Sequence, residues 1–151
     1  MATLWDTADR AAISERINRL DAAQAPQWGQ MNSVQMMSHL VESMKIAFNE
    51  KLVVVIPGKN PPAALRQAVI FSPTPWPIAT LIAPAEYFTD AWDAGQIDEY
   101  RHTLHAYLQR FEQAPGTILW GRHAYFDELT TEEWGALLYK HIDHHLRQFS
   151  C

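Results

Sequence analysis

The sequence is poor in cysteine and in net positive charge, and it has no long uninterrupted apolar run. The only cysteine is Cys151, so no internal disulfide can form, which fits a reducing compartment. The formal net charge is −5 at pH 7 and no basic stripe is present, which argues against a general nucleic-acid partner. The most apolar stretch, residues 68–85, is interrupted by four prolines and therefore cannot form a membrane-spanning helix.

The length and composition predict one folded domain covering residues 1–151. Six Trp, six Phe and five Tyr supply enough apolar surface for a core and exclude a disordered chain. Residues 1–6 lack the basic start and the apolar run of a signal peptide. We therefore expect a cytoplasmic protein with neither a membrane nor a nucleic-acid partner.

Apolar residues recur at helical spacing in four segments, which predicts an all-α fold with the helices packed as a four-helix bundle. The predicted helices cover residues 7–23, 32–51, 97–113 and 130–149. The second begins at a capping box formed by Asn32 and Gln35, and the fourth at one formed by Thr130 and Glu133.

A proline-rich connection of more than forty residues separates the second and third predicted helices. Residues 53–56 could form a short strand, although no partner strand is evident, and residues 63–71 could form a short helix. A connection of this length would allow the second and third helices to run parallel. Its apolar side chains predict that it packs on the body of the protein: Ile70, Phe71, Trp76, Ile78, Leu81 and Ile82.

Two of the seven histidines lie on the inner stripe of the fourth predicted helix. At about 100° per residue, His141 and His145 share one face with Trp134, Leu138 and Phe149. Imidazoles spaced i, i+4 point to the same side and can share one metal ion. The alternative is a pair of buried histidines hydrogen-bonded to neighbours, although two buried imidazoles need several polar partners.

His39 is the best candidate for a third ligand. It lies roughly 10 Å along the second helix, and His141 and His145 lie a similar distance from the far end of the fourth. If these helices are antiparallel, the three imidazoles lie at one height. His39 is on the face opposite the apolar stripe that includes Met37 and Val41, so the sequence leaves open which face is buried.

The remaining candidates carry less information. His102 and His105 lie outside or at the edge of the helix stripe and are expected to be solvated. Glu42, His123 and His144 are the groups that could act as a base near a metal, and no catalytic residue can be assigned among them. Cys151 is a weak candidate nucleophile because no basic residue adjoins it in the sequence.

Other metal and cofactor motifs are incomplete. The segment from His141 to His145 has Ile142 where the H-E-x-x-H motif requires glutamate. A di-iron bundle needs two Glu-x-x-His pairs, and only Glu99 with His102 fits. No nucleophile elbow, P-loop or dinucleotide fingerprint occurs.

A longer pattern points to a family. Its C-terminal part comprises residues 123–130 (His-Ala-Tyr-Phe-Asp-Glu-Leu-Thr), Glu133-Trp134 and residues 139–149 (Tyr-Lys-His-Ile-Asp-His-His-Leu-Arg-Gln-Phe). Its N-terminal part comprises Trp28, Met31 and Gln35-Met36-x-x-His39-Leu40. The pattern resembles the DinB-like superfamily, and within it a subgroup of unknown function.

The resemblance implies an up-down-down-up four-helix bundle in which the second helix is antiparallel to the fourth. Members commonly hold one divalent metal through three histidines, which correspond to His39, His141 and His145. Relatives include thiol-dependent transferases and hydrolases. Ala124 and Asp127 depart from the family's His-Pro-x-Phe-Gly loop motif.

Together these observations predict a metal-dependent enzyme acting on a small molecule, with a thiol among the candidate substrates. Zn²⁺ or Ni²⁺ is the expected ion, with Mn²⁺ or Fe as alternatives, and an open coordination position would activate water or a thiol. The rival interpretation is a metal- or ligand-binding bundle without catalysis. A homodimer is expected only because two-fold pairs are the commonest oligomers.

Overall fold

The structure, a computed structural model, describes residues 1–78, 83–88 and 93–151, and over these ranges the protein is all-α. The α-helices are α1 (Thr7–Arg19), α2 (Ser33–Ala47), α3 (Ala63–Phe71), α4 (Ile97–Arg110) and α5 (Thr131–Gln148). Short 3₁₀ turns lie at Ala85–Tyr87, Ala94–Gln96 and Pro115–Thr117. No helix within the described ranges has both the length and the apolar character needed to cross a bilayer.

Both predicted capping boxes are confirmed. The Asn32 side chain accepts from the Gln35 amide at 2.8 Å, and the Gln35 side chain accepts from the Asn32 amide at 2.9 Å. Thr130 and Glu133 make the equivalent pair at the start of α5, at 3.2 and 2.8 Å. Because each box satisfies amides that have no partner within the helix, the first residues of α2 and α5 are fixed locally.

The helices end earlier than the apolar periodicity predicts. Helix α1 stops at Arg19, because the Asp21 carboxylate accepts from the Ala23 amide at 2.7 Å and turns the chain away. Helix α2 stops at Ala47, and Asn49 adopts a left-handed conformation with φ 58°. Periodicity records which side chains are apolar, and these turns depend on polar side chains and backbone conformation.

Helix α2 is buried along almost its whole length because it contacts α4, α5 and the turn Ala85–Tyr87. Its apolar stripe, including Met37 and Val41, is buried, and so are Met36 and Ile46 on the face that carries His39. Both faces of the helix are therefore covered. Helix α1 also contacts α4 and α5, and α3 contacts α5.

Of the two elements that the sequence allowed in the connection between α2 and α4, the structure contains the short helix and lacks the strand. Helix α3 coincides with residues 63–71, whereas residues 53–56 have no strand conformation. Ile56 donates one backbone hydrogen bond to the Ala124 carbonyl at 2.8 Å. Strand propensity alone does not stabilise an extended segment without a ladder of such bonds. Among the described residues the only bridge is an isolated one between His123 and Asp127.

The connection packs on the helices through part of its predicted apolar set. Ile70 is buried, and Phe71 and Trp76 pack against the core. The Lys140 ammonium donates to the Val69 and Ser72 carbonyls, both at 2.9 Å, which ties the end of α3 to α5.

The predicted packing of the connection fails for Ile78, which is 57% exposed. Leu81 and Ile82 lie outside the described residues.

Candidate metal centre

Three histidines from two helices meet at one point. His39 comes from the middle of α2, and His141 and His145 come from the second half of α5. The His141 Nε2 atom lies 3.0 Å from the His39 Nε2 atom and 3.1 Å from the His145 Nε2 atom. The candidate ligand atoms of all three lie within 4.8 Å of one another. The structure thus brings together the three residues that helical spacing selects.

Helix α5 has its two histidines on the inner face and ion pairs on the opposite face. Asp143 accepts from Arg16 at 2.7 Å and from Arg147 at 2.9 Å, on the side away from the site. The i, i+4 spacing then sets His141 and His145 next to each other, with ring centroids 4.8 Å apart. The apolar members of the same stripe are all buried: Trp134, Leu138 and Phe149.

Two acceptors fix the direction of the imidazole rings. The His39 Nδ1–H donates to the Tyr87 carbonyl at 2.9 Å, and the His145 Nδ1–H donates to the Gln148 Oε1 atom at 2.8 Å. With the hydrogen on Nδ1, each neutral ring presents the lone pair of Nε2 to the shared point. Outer partners of this kind are a regular feature of histidines that ligate metals.

Loss of hydration favours the neutral form of the three imidazoles, of which His39 and His145 are buried and His141 is partly buried. It lowers the pKa of His39, lowers the pKa of His145 to about 3 and lowers the pKa of His141 well below its ordinary value. The neighbouring imidazoles lower the pKa values of His141 and His145 further, because a second positive charge there would be repelled. Neutral imidazole is the form that binds a metal, so protons compete weakly with a metal ion near pH 7.

The geometry of the cluster fits a divalent ion. Tetrahedral Zn²⁺ with Zn–N bonds of about 2.0–2.1 Å would separate its ligand nitrogens by about 3.3 Å. The His141 Nε2 atom lies 3.0 and 3.1 Å from the other two Nε2 atoms, which needs only a small expansion, and no two of the candidate ligand atoms are more than 4.8 Å apart. A neutral imidazole set suits Zn, Ni, Cu and Fe. Without an ion, one proton on the His141 Nε2 atom would have to serve two facing lone pairs. The three residues can therefore hold a metal ion.

Glu42, a candidate base, is committed to ion pairs. Its carboxylate is 4% exposed and accepts from Lys45 at 2.7 Å and from Lys51. Burial alone would raise the pKa of Glu42, but the hydrogen bonds and charges of the two lysines outweigh burial and lower it. The Glu42 carboxylate is thus ionised at neutral pH and neutralised by its partners.

His123 lies close to the site but does not join the cluster. Its Nδ1 atom accepts from the backbone amides of Tyr125 at 3.1 Å and Phe126 at 3.3 Å, and its ring centroid lies 6.1 Å from that of Tyr87. Burial, followed by the Arg66 guanidinium, lowers the pKa of His123 to about 4. The neutral His123 ring therefore stabilises the turn at residues 123–126 through these hydrogen bonds.

His144 lies beside the cluster and, like His123, keeps partial contact with solvent. Its ring centroid lies 5.2 Å from that of His145 and 5.7 and 6.0 Å from the rings of Trp28 and Trp76. Burial lowers the pKa of His144, Asp143 raises it and Arg147 lowers it, with a net lowering. The imidazole thus lies near two indoles and next to a candidate ligand.

The other two histidines are apart from the cluster. His102 is exposed, as predicted. The expectation that His105 is solvated is wrong: the ring is partly buried, with its Nε2 atom 2.8 Å from the Asn18 Oδ1 atom. The Cys151 thiol is partly buried and lies 3.7 Å from the Gln24 Oε1 atom.

Sequence reasoning missed the groups that support the cluster. Gln148 is three residues after His145, and that helical spacing could have identified it as a neighbour. The Tyr87 carbonyl belongs to the backbone, and no side-chain pattern marks it. Phe88, whose ring stacks on His39 with centroids 5.0 Å apart and planes at 17°, comes from the same turn. Trp76 lies 6.1 Å from His141, between ring centroids, so the cluster has aromatic neighbours.

No family model matches the chain, and no curated protein or solved structure matches it either. What is known of the site therefore comes from its geometry and from the chemistry of its side chains. The resemblance to the DinB-like superfamily stays a prediction.

Proposed function

We propose that this protein binds one divalent metal ion through His39, His141 and His145 and is a metal-dependent transferase or hydrolase of small molecules. The observation that carries the proposal is that three neutral imidazoles lie next to one another. Two of them are oriented by a hydrogen bond that their Nδ1–H donates to a fixed oxygen. Zn²⁺ or Ni²⁺ suits an all-imidazole set best, with Mn²⁺ or Fe as weaker candidates.

We also propose membership of the DinB-like superfamily and an up-down-down-up four-helix bundle. The support is the residue pattern together with the helix contacts, since α1 and α2 each contact both α4 and α5. In this arrangement α3 is an additional helix on α5. A cytoplasmic location and a homodimer belong to the same proposal and rest on sequence composition and on oligomer frequency.

A bound divalent ion with an open position would lower the pKa of a water or thiol ligand and so supply a nucleophile near neutral pH. Tyr87 and Gln148 would keep the imidazole ligands oriented toward the ion. Phe88 and Trp76 would offer apolar contacts to a small-molecule substrate. His144 is the group we propose to move a proton, because it lies next to His145 and is partly exposed.

One observation favours the rival function, a metal- or ligand-binding protein without catalysis. Glu42, the nearest carboxylate to His39 in the α2 sequence, is neutralised by Lys45 and Lys51. His123 is likewise occupied by backbone amides. The rival therefore has the same ligands but no committed general base, and its metal would be structural or regulatory.

The proposal is tested by elemental analysis of the purified, untagged protein beside His141→Ala, His145→Ala and His102→Ala. We expect close to one divalent ion per chain in the wild type and in His102→Ala, and loss of that ion in the other two. Thiol-transfer and hydrolysis substrates are then screened with the metal-loaded protein. A bound ion with no turnover favours the non-catalytic rival. Absence of metal after incubation with Zn²⁺, Ni²⁺ and Mn²⁺ overturns the metal-dependent enzyme and leaves a ligand-binding protein without catalysis.

A further inference from the structure

Gln148 is a buried amide that joins a candidate ligand to a distant loop. The side chain is 3% exposed and lies at the last position of α5. Its Oε1 atom accepts from the His145 Nδ1–H at 2.8 Å, and its Nε2 atom donates to the Trp28 carbonyl at 2.8 Å. In addition, the backbone carbonyl of Gln148 accepts from the backbone amide of Gln27 at 2.7 Å. Three hydrogen bonds thus hold this one residue between His145 and residues 27–28.

The Trp28 carbonyl decides which end of the amide faces the histidine. A carbonyl can only accept, so it takes the NH₂ end of the Gln148 amide and leaves the oxygen for His145. The oxygen in turn can only accept, so the hydrogen of the neutral His145 ring must be on Nδ1. The Nε2 lone pair then points at His141, 3.1 Å away.

Gly29 has no side chain, and the Gln148 side-chain amide occupies the space that a Cβ would fill. Gly29 has φ +79°, a conformation that favours glycine, and a Cβ built on it would lie 2.7 Å from the Gln148 Nε2 atom. Any larger residue would therefore press on the amide. Gly58 provides a natural comparison, because it has φ +72° and a Cβ there would meet nothing within 4 Å.

We propose that Gln148, held by residues 27–29, is a positioning residue that fixes the tautomer and the direction of His145 and thereby sets the affinity of the site for metal. The effect on affinity rests on the metal site proposed above. The effect on the tautomer does not, since it is a property of the protein without metal. The loop that precedes α2 is then part of the support of the site.

The first experiment compares Gln148→Met and Gln148→Glu with Gln24→Met as the control. Methionine keeps the length of the side chain and removes the strong acceptor, whereas glutamate keeps an acceptor for His145. Gln24 is a matched control because its side chain also donates to a backbone carbonyl at the end of α5, that of Phe149. Within the described residues, the Gln24 side chain makes no hydrogen bond to a histidine. Circular dichroism checks that each variant is folded.

Two quantities are measured. Imidazole ¹H–¹⁵N correlation spectra of the metal-free protein report which nitrogen of His145 carries the hydrogen. Competition with a chromophoric chelator gives the Zn²⁺ affinity. For Gln148→Met we expect a mixture of His145 tautomers and an affinity about 10- to 100-fold weaker, the usual effect of losing an outer partner of a ligand histidine. Gln148→Glu keeps the Nδ1–H tautomer, because its carboxylate still accepts from His145, and recovers part of the affinity, because it no longer donates to the Trp28 carbonyl. Gln24→Met matches the wild type.

A second pair of variants, Gly29→Ala and Gly58→Ala, separates contact from backbone strain. Both introduce a side chain at a positive φ, but only Gly29→Ala presses on Gln148. We expect Gly29→Ala alone to change the His145 tautomer and to weaken Zn²⁺ binding. This pair also decides the matter if Gln148→Met does not fold.

The outcomes separate this inference from the proposed function. A wild type that has the Nδ1–H tautomer, loses it in Gln148→Met and binds no Zn²⁺ supports the role of Gln148 and overturns the metal site. An unchanged tautomer in folded Gln148→Met, or equal behaviour of Gly29→Ala and Gly58→Ala, overturns the positioning role, whatever the Zn²⁺ affinity.

Discussion

The histidines of this protein differ in role because their hydrogen-bond partners differ. His39 and His145 donate from Nδ1 to fixed acceptors and so present Nε2 as a lone pair. His123 does the reverse, since its Nδ1 atom accepts from two backbone amides. His102 is exposed to solvent. One residue type thus gives candidate ligands, a structural acceptor and a surface group.

His123 makes the free energy of unfolding depend on pH. Burial lowers its pKa to about 4 in the folded protein, against 6.5 for the ordinary group. Between these values the unfolded chain binds more protons than the folded one, so stability is complete above pH 6.5 and falls as the pH is lowered to 4. The contribution is at most about 1.4 kcal/mol per pH unit.

The test is urea unfolding of metal-free protein between pH 4 and pH 7.5, with His123→Asn and His102→Asn. Asparagine can still accept from the backbone amides but does not titrate in this range, so His123→Asn should show a shallower dependence on pH. His102→Asn should retain the wild-type slope. Equal slopes for the wild type and His123→Asn would contradict the neutral, partly buried state of His123.

Among the elements, α5 brings together the most functions. It begins at a capping box, carries two candidate ligands and ends with Gln148. Gly135 lets the N-terminal segment pack closely on the same helix: the Leu4 amide donates to the Gly135 carbonyl at 3.1 Å, and the Trp5 indole donates to the Thr131 carbonyl at 2.9 Å. The position of α5 therefore depends on a glycine inside a helix, where glycine is otherwise unfavourable.

Gly135→Ala tests this packing. In an open helix the change would stabilise by about 0.5–1 kcal/mol, but here the new Cβ would lie 2.3 Å from the Trp5 ring. We expect a net loss of about 1–3 kcal/mol, typical of overpacking in a full core. Urea unfolding measures it, and Gly116→Ala is the control because a Cβ there meets nothing within 4 Å. A stabilised Gly135→Ala would mean that Trp5 does not lie against α5.

At the scale of the whole molecule, the candidate site joins segments that are far apart in the chain. Its ligands come from α2 and α5, and its outer partners include Tyr87 from the connection and Gln148 at the end of α5. An unfolded chain cannot hold these groups together, so metal binding would favour the folded state.

Metal ions should therefore raise the melting temperature in proportion to the logarithm of their excess over Kd. An ion at 100 times Kd adds about 2.7 kcal/mol of stability. We expect Zn²⁺ to raise the Tm of chelator-treated wild type and of His102→Ala, and to have no such effect on His39→Ala. Differential scanning fluorimetry over a Zn²⁺ series measures this. An equal rise in His39→Ala would show that Zn²⁺ acts elsewhere on the protein.

From the sequence, His39 could be grouped with His141 and His145 only by assuming that their helices are antiparallel. The all-α class, both capping boxes, the i, i+4 pair of His141 and His145 and a possible short helix at residues 63–71 could be predicted without that assumption. These features follow from helical spacing and from contacts within a few residues, which a linear sequence records directly. The sequence predicted the wrong end for α1, because a helix end depends on local turns. It also allowed a strand at residues 53–56 that does not form, because a strand requires a partner.

The burial of both faces of α2 depends on packing between segments that are distant in the chain. The tertiary structure also decided that the Tyr87 carbonyl meets His39 and that Trp28 and Gly29 orient Gln148 toward His145. These contacts join segments that are distant in the chain, and two of the acceptors are backbone carbonyls, which every residue possesses. No residue pattern could therefore mark them before the chain folds.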